Sequence, residues 1–292
     1  MRFTKMHGLG NDFVVVDGLR QALPEEKTWP GLARSLCERR HGIGADGLVF
    51  VLPAAGGVIR MRIFNPDGSE AEMCGNAIRC VAKYACEHLG LGGEGFLVET
   101  LAGPKEVRPT YRGGRVASVT VNMGEPVLEA KAIPVVAPAS PVVDWPLGAG
   151  GHEFRVTCVS LGNPHCVIFT DAPEAMELER WGPALERHPA FPRRTNVEFV
   201  RVVSPDKLAV RVWERGAGAT MACGTGACAA AVAGVLAGVS AARVTVSLPG
   251  GDLRVWWEGP GSAVWLEGPA VEVFRGETDL EEMREEATCP GA

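Results

Sequence analysis

Arg62-Ile63-Phe64-Asn65 opens a stretch that runs on to Cys74-Gly75-Asn76-Ala77-Ile78-Arg79, and at an offset of 149 residues Arg211-Val212-Trp213-Glu214 opens one that runs on to Cys223-Gly224-Thr225-Gly226-Ala227. Each begins as a β-branched or aromatic run, crosses turn residues, and ends in a Cys-Gly pair ahead of small apolar residues compatible with a helix. The match extends outward. Gly47-Leu48-Val49-Phe50-Val51 falls on Asn196-Val197-Glu198-Phe199-Val200 at the same offset, and Leu9-Gly10-Asn11 falls on Leu161-Gly162-Asn163 at an offset of 152. Four colinear matches at nearly one offset predict two similar halves. The expected fold class is α+β: two pseudo-symmetric lobes, each a mixed, antiparallel-rich β-sheet or barrel around a central helix that begins at a Cys-Gly pair. The expected division gives 1–116 with 267–292 to the N-terminal lobe carrying Cys74, and 117–266 to the C-terminal lobe carrying Cys223.

Runs such as Phe13-Val14-Val15-Val16, Leu48-Val49-Phe50-Val51 and residues 58–64 read as strands bounded by Gly, Pro and Asp turns. Helical patterns cover 29–40, 75–89, 174–187 and 224–237.

With 292 residues, each half is long enough to bury its own core. Lys plus Arg number 29 against 35 Asp plus Glu, so no basic footprint for nucleic acid or an anionic membrane is present, and a small-molecule partner is expected. The opening Met1-Arg2-Phe3-Thr4-Lys5-Met6 lacks the apolar core of a signal peptide, and no later apolar run reaches about 18 residues. A soluble, cytoplasmic protein is expected. Its nine cysteines are odd in number, which favours free thiols over a disulfide framework. Cys74 to Cys80 and Cys223 to Cys228 are not spaced like zinc ligands, and no metal is expected.

Amides are scarce: one Gln, Gln21, and six Asn, a depletion like that of thermophile proteins. Asn11, Asn65, Asn76, Asn163 and Asn196 lie in the repeated segments and only Asn122 lies outside. The retained asparagines are therefore candidates for chemistry.

Each Cys-Gly pair falls at a helix N-terminus, where unpaired N–H groups and the positive dipole end stabilise anions, lower a thiol's pKa and hold a carboxylate. One such cysteine is as readily a small buried residue at a tight turn. Two of them supply two proton-transfer groups and two sets of N–H donors, which is what inversion of a stereocentre α to a carboxylate requires. The cleft between the halves is the expected active site. Donors preorganised on the carboxylate are worth about 3–4 kcal/mol each, so two helix starts replace a pyridoxal cofactor as electron sink, and no cofactor is expected.

The stretch from Asn65-Pro66-Asp67-Gly68-Ser69 through Cys74-Gly75-Asn76-Ala77-Ile78-Arg79 resembles the signature of diaminopimelate epimerase. So do the stretch from Glu214 through Cys223-Gly224-Thr225-Gly226-Ala227 and the opening Lys5-Met6-His7-Gly8-Leu9-Gly10-Asn11-Asp12-Phe13. The resemblance spans nearly the whole chain. It implies a cofactor-independent isomerase interconverting L,L- and meso-2,6-diaminopimelate on the route to lysine and peptidoglycan, working as a homodimer. It further implies Cys74 and Cys223 as the acid/base pair, with the N–H groups of Gly75, Asn76, Gly224 and Thr225 on the reacting carboxylate. Asn65, Asn196 and Arg215 would read the distal end, Glu214 would bond the substrate ammonium, and Asn11, Asn163 and a supporting His165 would complete the pocket. Two positions depart from the pattern: Gly47 stands where some members carry Gln, and Ala219 where many carry Glu.

A proline or hydroxyproline racemase is the alternative enzyme; Asn76, where that family tends to carry His, and the distal-end residues speak against it. The cysteine pair excludes the related isomerase of phenazine synthesis. A thiol redox protein lacks its Cys-x-x-Cys pair here, and a non-catalytic amino-acid-binding protein would not need two matched thiols. His7, His41, His88, His152 and His188 receive no role, and the acidic run from Glu277 to Glu286 reads as solvated surface.

Overall fold

Strand β1 (Arg2–Gly8) turns back through Leu9 and Gly10 into β2 (Asn11–Asp17). Both turn residues have positive φ, 56° and 85°, as in the two-residue hairpin turns whose twist matches the strands they join. In this computed structural model, residues 1–56 and 58–280 are described. Helix α1 (Trp29–Cys37) follows, burying Trp29, Leu32, Ala33, Leu36 and Cys37 at helical spacing. It stops short of the expected residue 40, because the Glu38 backbone is extended and its carboxylate accepts the amides of Arg40 and His41.

The crossover delivers β3 (Gly47–Leu52) parallel to β2, and β4 (Ile59–Phe64) returns antiparallel. The short β5 (Glu70–Ala71) pairs with the far end of β4 and leads into α2 (Gly75–His88). Next, β6 (Phe96–Thr100) lies parallel to the near end of β4, and β7 (Gly103–Arg112) and β8 (Arg115–Gly124) continue as a meander.

The same order then recurs. Strands β9 (Trp145–Ala149), β10 (His152–Ser160) and β11 (Pro164–Phe169) are antiparallel neighbours, and after α3 (Leu178–Glu186) β12 (Asn196–Ser204) lies parallel to β11. Antiparallel β13 (Lys207–Glu214) and the short β14 (Gly218–Thr220) lead into α4 (Gly224–Leu236). Strand β15 (Arg243–Leu248) is parallel to β13, and β16 (Gly251–Trp256) and β17 (Val264–Gly268) close the second meander. Strand for strand, β1–β8 correspond to β10–β17. The chain then runs back to the first sheet as β18 (Val271–Glu277), antiparallel to β1, where β9 stands beside β10.

By internal packing the chain divides into one unit of Met1–Val121 with Pro269–Ala292 and another of Asn122–Gly268. Each is a mixed sheet about its own helix. Residues 75–85 of α2 are buried throughout, Arg79 and Lys83 among them. Helix α4 is apolar on every face, and strands β10–β13 and β15–β17 pack around it. In the first unit Trp29 stacks on Phe50 at 4.2 Å with Phe64 edge-on. In the second, Phe154, Leu185, Phe191 and Phe199 form the corresponding core.

The pattern at 174–187 is not one helix. Pro173–Ala175 form a single 3-10 turn, Met176 is extended, and α3 begins only at Leu178. Gly182 sits where α3 crosses Trp213, and a Cβ there would lie 2.3 Å from the indole. Among the described residues no helix is long and apolar enough to cross a membrane. Residues 281–286 of the acidic run lie outside the described residues.

Candidate active site

In the first unit Cys74 is the N-cap of α2, with extended backbone (φ −137°, ψ 123°). The first intrahelical bond runs from Ile78 N–H to Cys74 O, so the amides of Gly75 and Asn76 lie ahead of the helical ladder. Asn11, delivered by the Leu9-Gly10 turn, meets this helix start: its Oδ1 accepts from Asn76 Nδ2 at 3.0 Å and from the Cys74 thiol at 3.8 Å. Its amide orientation follows from its other partner, because Asn11 Nδ2 donates to Asp46 Oδ2 at 2.9 Å. Asn76 is fixed from below, its Oδ1 accepting from the fully buried Arg79 at 2.8 Å. Arg79 also donates to the Gly75 and Pro269 carbonyls.

The base of this network is ionic. Arg39 Nη2 lies 2.8 Å from both Asp12 Oδ1 and Asp46 Oδ1, and Lys5 Nζ lies 2.6 Å from Asp12 Oδ2. Burial acts to raise the Asp12 pKa, but the hydrogen bonds from Arg39 and Lys5 outweigh it and hold the carboxyl at about 2, against an ordinary 3.8. A depressed carboxyl stabilises the fold above its unfolded pKa, and that contribution is lost as the pH falls through about 2. Asp12→Asn is therefore expected to cost about 2 kcal/mol at pH 7, with the deficit shrinking as the pH approaches 2; denaturant midpoints at the two pH values measure it.

Asn65 lies at a turn in which Gly68 N–H donates to Asn65 O and Asn65 Nδ2 donates to Ser69 Oγ at 3.0 Å. Gly68 has φ 84°, and a Cβ on it would strike the Arg34 guanidinium and the Pro30 carbonyl, so only glycine fits.

In the second unit Cys223 is the N-cap of α4, 5% exposed. Its sulfur accepts from Gly226 N–H at 3.3 Å and lies 3.5 Å from Thr225 Oγ1. Asn163, placed by the Leu161-Gly162 turn as Asn11 is by Leu9-Gly10, donates through Nδ2 to Thr225 Oγ1 at 3.3 Å. His165 Nε2 lies 3.1 Å from Asn163 Oδ1, and His165 Nδ1 lies 2.7 Å from Glu198 Oε1; His165 and Glu198 are fully buried.

Asn196 and Arg215 are also joined. Asn196 Oδ1 accepts the Arg215 backbone N–H at 2.9 Å, while its Nδ2 donates to Pro164 O at 2.8 Å. The exposed Arg215 guanidinium reaches Arg193 O, and Glu214 Oε1 accepts from Thr220 Oγ1 at 2.6 Å.

The lowered thiol pKa expected of a helix start is overridden at Cys223. Burial pushes this thiol well above the ordinary range, the Glu214 and Glu198 carboxylates push it further, and the Thr225 hydroxyl and Gly226 N–H pull the other way. Burial likewise raises Cys37 and Cys80 to about 12, which keeps those core thiols protonated. Three side chains able to ligate a metal converge in the first unit, Glu87, His88 and Glu272. There His88 Nε2 already engages Glu272 at 2.6 Å and Arg275 at 3.2 Å, the pattern of an ion-pair network.

Within each unit the expected residues gather as two half-sites: Asn11, Cys74, Gly75 and Asn76 in one, Asn163, His165, Cys223, Gly224 and Thr225 in the other. Sequence reasoning missed Asp46, Arg79 and Glu198, which hold the asparagines and His165. For Glu198 a signal existed, a carboxylate inside a β-branched run where the first half carries Val49.

The family model described as diaminopimelate epimerase matches residues 3–129 and 157–273. The diaminopimelate epimerase of Moorella thermoacetica is 56% identical over 281 residues, covering 96% of this chain and 100% of that protein. That of Desulforudis audaxviator is 57% identical, covering 94% and 98%. Among solved structures, a hydroxyproline epimerase from Agrobacterium vitis matches with TM-score 0.69 at 18% identity, covering 94% of this chain and 91% of that one. A phenazine biosynthesis protein from Bacillus anthracis matches with TM-score 0.70 at 17% identity, covering 96% and 99%. At such identities these last two share the fold alone.

Proposed function

Because the chain belongs to the diaminopimelate epimerase family, we propose that it interconverts L,L- and meso-2,6-diaminopimelate, for lysine and peptidoglycan precursors, with Cys74 and Cys223 removing the α-proton from one face and supplying a proton to the other. The observation that carries this reading is the recurrence in each unit of a cysteine at the N-cap of the enclosed helix. As thiolate, one cysteine removes the α-proton; as thiol, the other delivers a proton to the opposite face, and the roles exchange for the reverse reaction. The α-carbon acid is far weaker than any side chain. The charge that develops on the carboxylate is therefore taken up by the N–H groups of Gly75, Asn76, Gly224 and Thr225.

Burial of Cys223 serves the acid role: a thiol whose pKa is raised keeps its proton until the carbanion forms. Asn11 faces Cys74 with a carbonyl oxygen, an acceptor suited to a thiol, and the same amide braces Asn76. Arg215, with Asn65, reads the distal end of the substrate. Asn196 acts there through the Arg215 backbone it holds, and Glu214 takes the substrate ammonium. The working form in this reading is a homodimer in the cytoplasm, where thiols stay reduced. The exposed Val271, Val273 and Phe274 on β18 fit a subunit contact.

The deciding experiment is incubation of each diaminopimelate stereoisomer in heavy water with no added cofactor. Deuterium is expected at the α-carbon together with the epimer. Tight binding without exchange would reduce the protein to a binding module.

A further inference from the structure

Glu198 lies outside every role assigned above, yet it is the innermost group of a continuous chain that ends on a proposed catalytic sulfur. It projects from β12 onto His165 of β11, the residue two after Asn163. Asn163 then reaches Thr225 in the first turn of α4, and Thr225 reaches Cys223 at its N-cap. Gly226 makes room for this, since a Cβ there would lie 2.8 Å from Glu198 Oε1 and 3.3 Å from Cys223 Sγ.

The polarity of the chain follows from its partners. Asn163 gives its Nδ2 hydrogen to Thr225 Oγ1, so Asn163 Oδ1 faces His165 Nε2, and an amide oxygen only accepts. His165 Nε2 therefore carries a proton. One further proton lies in the 2.7 Å contact between His165 Nδ1 and Glu198 Oε1, and on either atom it leaves the pair with no net charge. Either atom of the 3.5 Å contact between Thr225 Oγ1 and Cys223 Sγ can donate while the thiol keeps its proton; once the thiolate forms, the Thr225 hydroxyl, already an acceptor from Asn163, is the donor to it.

We infer that Glu198 is a positioning residue for Cys223: by holding His165 with Nε2–H toward Asn163, it orients the Asn163 amide and keeps the Thr225 hydroxyl aimed at the sulfur. The inference rests on the proposed role of Cys223 as proton carrier. Without Glu198, His165 can take the Nδ1–H tautomer. Its bare Nε2 then turns the Asn163 amide, and the Thr225 hydroxyl swings to Asn163 Oδ1. The Cys223 thiolate, when it forms, has lost one of its two donors.

The charged and titratable groups around this chain are Glu214 of β13, which acts on both Glu198 and Cys223, together with Cys166 of β11 and Cys158 of β10 on the Glu198 side. A purely electrostatic role for Glu198 has the opposite sign. A bare carboxylate beside Cys223 would disfavour the thiolate, so its removal would make the thiol more reactive.

The test reads Cys223 itself and needs no substrate, so it stands apart from the proposed activity. Alkylation by iodoacetamide is followed between pH 7 and 10 on the full chain, with tandem mass spectrometry separating Cys223 from Cys228. Glu198→Met, of similar volume, is expected to slow Cys223 alkylation roughly tenfold at each pH, about one pKa unit. Glu198→Gln, whose amide N–H can still hold His165 Nδ1, restores the rate to within about threefold of the parent. It also serves as the safer variant should Glu198→Met not fold. Thr225→Val slows the reaction by itself, and adding Glu198→Met to it costs nothing further, because both act through one hydroxyl. Alkylation more than about threefold faster in Glu198→Met or Glu198→Gln, no change in Glu198→Met, a Glu198→Gln loss approaching tenfold, or multiplying losses in the double variant each overturn the inference.

Discussion

Cys74→Ser and Cys223→Ser are each expected to lower epimerisation by roughly 10²–10⁴-fold, the range of a lost general acid or base. A serine hydroxyl fits the space of a thiol and keeps its hydrogen-bonding capacity, so the helix starts should survive; the missing property is a pKa low enough to serve as base or acid near the working pH. Burial sharpens the effect at Cys223, where the sulfur is already hard to ionise and an oxygen is far harder. The two variants should also differ from each other. With one thiol gone, the other can still abstract the proton from its own face, so deuterium should enter one stereoisomer without inversion, and the partner variant should show the complementary preference. Near-parent turnover in either variant would sink the two-thiol reading.

The second large effect concerns the far end of the substrate. Polar groups built to meet a distal amino acid are left unpaired by a substrate that lacks it, and such sites reject the lacking analogue by roughly 10⁴-fold. L-Proline is expected to turn over negligibly. L-Lysine, which has the distal amine without its carboxylate, should lose most of the same factor in catalytic efficiency if Arg215 reads that carboxylate. Arg215→Lys should then weaken diaminopimelate strongly while keeping the charge, because an ammonium cannot reproduce the planar two-point contact. The backbone there is already pinned by Asn196 Oδ1, so the loss belongs to the guanidinium. Efficient turnover of proline would move the chain to the racemase reading, and lysine equal to diaminopimelate would remove Arg215 from its role.

The doubled architecture was legible because each half repeats the same local logic. A Leu-Gly turn sets an asparagine at a strand start, a parallel crossover follows, and a Cys-Gly pair opens a helix. These are short-range features, written in residues with special backbone or capping behaviour. What did not show were the partners that hold the site residues. Asp46 on Asn11, Arg79 on Asn76 and Glu198 on His165 are tertiary contacts except for the Arg79 pair, which spans one helical turn. Helix ends failed for local reasons: Glu38 caps the amides beyond Cys37, and the pattern through 174–187 hid the extended Met176. The resemblance places Asn196 at the distal end of the substrate; what the sequence did not show is that its Oδ1 accepts the Arg215 backbone N–H and its Nδ2 donates to the Pro164 carbonyl.

Strand β18 completes the first sheet with the segment that follows the whole of the second. A ribosome therefore releases Asn122–Gly268 as an uninterrupted stretch while β1 still lacks a neighbour on one edge. The second half can mature first although the first half was begun earlier, and in that interval the open edge of β1 is the surface most exposed to mispairing with another nascent chain. Inheritance by duplication would explain the equivalence of β9 and β18. The price is timing: the half that holds Cys74 waits for β18 to arrive.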